Sequence, residues 1–147
     1  MTGAVSGAAY AARMIATLQC VVIDCPDPAA LADFYRGILG WEQDASRPPW
    51  VTLTGPAGQR LAFQLAEDHR PPAWPDPERP QQFHLDFDVP TLADIPEAEA
   101  RVLALGATFL HDSGGRNSGF RVYADPAGHP FCLCYGQVPP GVDGHVT

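Results

Sequence analysis

Residues 20–41, CVVIDCPDPAALADFYRGILGW, and residues 84–107, HLDFDVPTLADIPEAEARVLALGA, decide the fold, because they follow one plan twice. Each begins as a strand, turns at an Asp and a Pro, continues into an amphipathic helix and stops at Leu-Gly. A hydrophobic segment broken by an identical turn then follows each, at Pro56-Ala57-Gly58 and at Pro126-Ala127-Gly128. Self-similarity at a spacing of about 65 to 70 residues means two copies of one supersecondary unit that pack together to complete a core. At 147 residues the chain suits one compact domain and is short for two independent ones.

The expected organisation is a first module at 14–70, a linker at 71–80 and a second module at 81–137. Prolines at 71, 72, 75, 77 and 80 exclude helix and central strand from the linker. Residues 1–13, small and rich in Ala and Gly, lack a basic and then apolar signal-peptide pattern and read as a flexible leader, with the native start in question between Met1 and Met14; residues 138–147 read as a tail. In the first module Pro28 to Leu39 reads as a helix, with Leu31, Phe34, Tyr35, Ile38 and Leu39 on one face, Pro28 in the first turn and Gly40 at the end. A second helix runs to Leu105, with Pro96 near its start. Strands are expected over 18–24, 50–54, 61–65, 83–89, 120–124 and 130–135.

Successive strand side chains point to opposite faces. Phe83, Leu85 and Phe87 therefore share the helix side, and His84, Asp86 and Asp88 the other. The same rule separates Phe131 and Leu133 from Cys132 and Cys134, and Leu61, Phe63 and Leu65 from Ala62 and Gln64. In the first strand Val21 and Ile23 go with the helices, and Cys20, Val22 and Asp24 with the semi-polar face. The class is α+β, a curved mixed sheet forming a ligand-sized cup with the helices outside.

Nine Lys plus Arg against 17 Asp plus Glu give a net charge of -8 and a pI near 4.8. Such a field repels phosphate backbones and anionic bilayers, which argues against nucleic acid and membrane partners and favours cationic or neutral small molecules. No apolar run reaches spanning length. Cys20, Cys25, Cys132 and Cys134 show no CxxC spacing and read as reduced thiols of a cytoplasmic chain.

The paired strand, Asp-Pro turn and helix, with Phe34-Tyr35 and Leu39-Gly40, leads in the second half to Asp125-Pro126-Ala127-Gly128-His129-Pro130-Phe131. This arrangement resembles the vicinal oxygen chelate superfamily of glyoxalases, extradiol dioxygenases, fosfomycin-resistance enzymes and bleomycin-resistance proteins. The likeness covers about residues 17–136. The run Pro80 to Asp86 and the ending Gly128 to Leu133 resemble its glyoxalase-like group. The resemblance implies paired βαβββ modules and, with an open sheet edge inviting pairing, a homodimer.

It also implies where metal ligands stand in members that use them: at Cys20 (or Gln19 if the strand bulges), Gln64, His84 and Cys132. Only His84 matches. A thiol at 132 replaces the carboxylate that hard-metal sites of this kind use, so the expectation is no catalytic metal. The alternative is a soft zinc site from Cys20, His84 and Cys132. The expected ligand site is walled by Gln64, His84, Asp86 and Cys132, flanked by Trp50 and Trp74, with Tyr123 for stacking and Arg121 for a carboxylate or a surface salt bridge. His84 and Asp86 are the candidate catalytic pair, while Asp88 matches Asp24 as a turn cap. His69, His111, His129 and His145 read as solvated. Three functions fit: a small-molecule binder like the bleomycin-resistance proteins, a lyase or isomerase of a small carbonyl compound, or a regulatory module with an unused cup.

Overall fold

The computed structural model describes residues 14–137; the leader and tail, with His145, lie outside them. Helix α1, Pro28–Leu39, has the bounds its periodicity predicts. Asp27 sits in extended geometry and its carboxylate accepts from the Ala30 N–H at 3.1 Å, satisfying a first-turn donor. Gly40 adopts φ 67°, a left-handed conformation that favours glycine, and its N–H donates to the Arg36 carbonyl at 2.8 Å.

The first module comprises β1 (Val21–Cys25), α1, β2 (Glu42–Gln43), β3 (Trp50–Thr54) and β4 (Arg60–Leu65). The second comprises β5 (Leu85–Val89), a 3₁₀ turn at Leu92–Asp94, helix α2 (Ile95–Ala104), β6 (Thr108–Asp112), β7 (Gly119–Ala124) and β8 (Pro130–Tyr135). Each module is a βαβββ unit, and their hydrogen bonding divides the cup wall into two four-stranded mixed sheets, ordered β1-β4-β3-β2 and β5-β8-β7-β6. In each, the outer first strand runs parallel to the last, and the remaining pairs are antiparallel.

One buried cluster spans both modules, joining Phe34 and Tyr35 of α1 to Phe63 of β4 and Phe131 of β8. The Tyr35 ring stacks on Phe63 at 5.6 Å and meets Phe131 edge-on at 6.4 Å. Offset and edge-to-face contacts at these distances add to the hydrophobic gain of burial. Below the aromatics, the Tyr35 hydroxyl donates to Asp125 at 2.6 Å, and Asp125 also accepts from the Ala127 and His129 N–H groups. That carboxylate ties α1 to the turn before β8 and so fixes where β8 begins.

Two expectations change. The fifth strand starts at Leu85 rather than residue 83, so Phe83 is exposed instead of facing the helices. The first starts at Val21 rather than residue 18, leaving Leu18 exposed. Strands β2 and β6 carry no alternation that periodicity can detect: every residue of both is exposed.

Candidate functional site

The site grows from the register of β5 on β8. Asp86 pairs with Cys132, and Cys132 pairs on its other side with Val122 of β7. Directly paired residues point to one face, so Asp86, Cys132 and Val122 line the cup side. His84, one step before β5, reaches back so that its Nε2 lies 3.4 Å from the Asp86 carboxylate. The imidazole, carboxylate and thiol of His84, Asp86 and Cys132 converge, with one ligand-capable atom of each within 4.8 Å of the others. Cys132 is buried, while His84 and Asp86 face solvent. Burial, then the Asp86 charge and its hydrogen bond, push the Cys132 thiol up to about 12. The sulfur is thus a neutral thiol near pH 7 when nothing cationic is bound. Trp74, arriving from the linker, packs on Val122, Cys132 and Cys134 and meets His111 edge-on at 5.7 Å.

A cleft of about 590 Å³ opens beside His84. Its walls are β1, the linker and the starts of β5 and β8, with Tyr35 facing it. It has the size of small-molecule sites. His69 and His129 belong to its wall rather than to bulk solvent. Each ring is held through Nε2, to the Ala127 carbonyl at 2.8 Å and the Asp24 carbonyl at 2.7 Å respectively. The signals for them were a His just ahead of the proline run and a His directly after the Asp-Pro-Ala-Gly turn.

The remaining expected residues divide. Trp50 and Gln64 are neighbours across β3 and β4 on the first module. The Trp50 indole donates to the Thr52 hydroxyl at 2.9 Å, and Gln64 lines a separate shallow depression with Asp24, Glu67 and Asp68. Counting from the two Pro-Ala-Gly turns, the counterpart of Cys132 is Ala62, paired with Val22 just as Cys132 pairs with Asp86. Gln64 corresponds instead to Cys134. Cys20 is half-buried and outside the cluster around His84.

Tyr123 and Arg121 turn toward α2, away from the cup. The Tyr123 hydroxyl donates to Glu99 at 2.6 Å, and the Arg121 guanidinium bridges Glu99 at 2.9 Å and Asp112 at 3.2 Å. Tyr123 hydrogen bonding, with Arg121 adding to it, holds the Glu99 carboxyl below its ordinary value. The salt-bridge reading of Arg121 is the one the structure supports; it braces the helix against the sheet.

Two βαβββ units sharing one core, with polar groups gathered on the inner face of the second, define a protein of the vicinal oxygen chelate superfamily. Within it the chain belongs to the glyoxalase-like domain family, whose family model matches residues 20–134. No curated protein matches the chain. Among solved structures it is similar to a glyoxalase/bleomycin resistance protein/dioxygenase family enzyme from Burkholderia phytofirmans PsJN. The identity is 20%, the TM-score 0.65, and the match covers 82% of this chain and 98% of that one. It is also similar to the fosfomycin resistance protein FosX of Listeria monocytogenes, solved with Mn(II) and sulfate, at 17% identity and TM-score 0.62, covering 85% and 94%. A third is the oxidase ChaP-H2, at 23% identity and TM-score 0.59, covering 89% and 100%. At these identities the likeness is one of fold.

The donors at hand test what metal this chain would accept. One nitrogen, one carboxylate and one sulfur suit a borderline ion such as zinc with an open fourth position. They do not suit a hard, oxygen-rich octahedral site. The module-one counterparts of Asp86 and Cys132, Val22 and Ala62, bring no donor, and that of His84 is the Cys20 thiol, which stands outside the cluster.

Proposed function

We propose that the protein binds a small organic molecule in the cleft beside His84, without a resident hard-metal centre. The observation that supports this most is the cleft of about 590 Å³ between the two modules, with His84 at its border and apolar β1 residues in its wall. A largely pre-formed concavity with a few convergent polar groups is the usual form of such sites. The test is a thermal-shift screen of small aromatic compounds followed by His84→Ala. A bound compound should lose its stabilising shift in the variant, and an unchanged shift would remove His84 from the site.

A second reading, a lyase or isomerase acting on a small carbonyl compound, draws on the 3.4 Å contact between His84 and Asp86. A carboxylate beside an imidazole orients it for proton transfer at a carbon next to a carbonyl. In place of that proton transfer, zinc held by His84, Asp86 and Cys132 would polarise the carbonyl oxygen, its ligands no longer serving as the base. Metal analysis of protein purified without chelator or nickel resin separates the readings. One tightly held transition metal per chain, lost in His84→Ala, favours the second.

We also place the protein in a reducing compartment as a homodimer. All four thiols are free, and β1 and β5 each leave one edge unpaired among the described residues. No helix among them is long and apolar enough to cross a membrane.

A further inference from the structure

We propose that the cleft beneath the proline-rich linker selects an organic anion, its carboxylate or phosphoryl head held by Arg70 and Arg79 and its apolar body by Val21, Val22 and Phe83. This rests on the reading of the cleft as the ligand site and adds the chemical class. The overall charge of -8 points the other way, toward cations. The cleft departs from that average. Its wall gathers Arg70, Arg79, His69, His84 and His129, in a chain where all nine basic residues are Arg and acids outnumber them with 17.

Among the described residues Arg70 and Arg79, like Arg47, Arg60, Arg101 and Arg116, have no ion-pair partner within 4.0 Å. Both side chains are exposed, so each fork is free to close on a ligand. Two carboxylates, Asp24 and Glu78, also touch the wall. Asp24 borders the neighbouring depression as well, beside Gln64 and Asp68. Glu78 follows Asp76 in a small linker turn and leaves Arg79 unpaired. Two arginines against two carboxylates leave the wall balanced, less negative than a chain carrying -8 overall. The guanidinium fork matches a planar carboxylate or a phosphoryl group in two-point hydrogen bonding.

Two imidazoles also border the cleft. A carbonyl only accepts, so the Nε2 atoms of His69 and His129 carry protons donated to Ala127 and Asp24. Each Nδ1 is left without a partner among the described residues, and the rings lie 5.1 Å apart. In the neutral rings those Nδ1 atoms are acceptors that suit a proton donor elsewhere on the ligand, so the anionic head is left to the arginines. Val21 and Val22 of the same wall are 42% and 40% exposed and Phe83 is 90% exposed. The fold finds no use for that apolar surface. A ligand body covering it removes it from water.

Isothermal titration of the full-length protein with four probes tests this: 3-phenylpropionate, phenyl phosphate, 3-phenylpropan-1-ol and 3-phenylpropylamine. One or both anions should bind, weakening as salt is raised, with the alcohol at least about tenfold weaker and the amine weaker still. Whichever anion binds more tightly identifies the head group. Arg70→Ala and Arg79→Ala should each cost the anion about tenfold and leave the alcohol unchanged. The inference falls if the alcohol or amine matches the anions, or if the double variant, folded by circular dichroism, binds the anion like the parent. Alcohol binding that His84→Ala abolishes would keep the ligand-cleft reading while removing the anionic class. Binding of none of the four would overturn both.

Discussion

Asp86 and Cys132 meet because β5 and β8 run parallel in a register that sets them side by side, and that adjacency controls the chemistry of the sulfur. A thiol whose folded value is raised stabilises the fold below its ordinary 9.0, and this contribution is lost as pH rises through about 12. Asp86→Asn removes a nearby negative charge, so the thiol should ionise at lower pH, though burial, the larger cause, keeps it above its ordinary value. The pH profile of Cys132 alkylation in a variant lacking the other cysteines checks this; an unmoved profile would contradict the contact. With Ellman's reagent on native protein, half-buried Cys20 should react first and buried Cys25, Cys132 and Cys134 slowly. At this scale alternation gave the face expected for His84, and the resemblance gave its place as a ligand position. Gln64 was not correctly matched to Cys132, because strand register depends on where each strand leaves its turn, and the two Pro-Ala-Gly turns measure that better than strand ends do.

Between elements, the Glu99, Arg121 and Tyr123 network decides how α2 sits on its sheet. Glu99 is held below its ordinary 4.5, so its contribution is present above that pH and is lost as pH falls through the folded value. Glu99→Ala should cost about 1 to 3 kcal/mol at neutral pH by leaving Arg121 and Tyr123 without their shared acceptor, and should flatten the acid limb of stability in urea titrations. Tyr35→Phe removes one of three donors to buried Asp125 and should likewise cost about 1 to 3 kcal/mol, read as a shift in the urea midpoint. Asp27→Ala, which strips the cap from α1, should cost about 1 kcal/mol. Helix α1 was fully legible because a first-turn proline, an apolar stripe and a glycine stop all agree over twelve residues. Strands β2 and β6 were not: with both faces exposed they carry no period of two, and only pairing to β3 and β7 makes them strands.

For the whole molecule, the unpaired edge of β1 and the exposed Ile15 and Leu18 ahead of it motivate the dimer. Light scattering at micromolar concentration should return twice the chain mass of 15.8 kDa, and a single-chain mass would count against it. Repetition of strand, turn and helix, together with two matching turns, determined by themselves that two modules share one core and that the inner sheet face is semi-polar. Those are consequences of local periodicity, which a linear pattern carries in full. Only the tertiary structure decided that Asp86 supplies a carboxylate beside Cys132, that Arg121 and Tyr123 brace α2, and that His69 and His129 stand in the wall of the cleft. Each of these depends on strands or loops distant in the chain meeting in one register, and that register is set by packing across the shared aromatic core rather than by any spacing along the sequence.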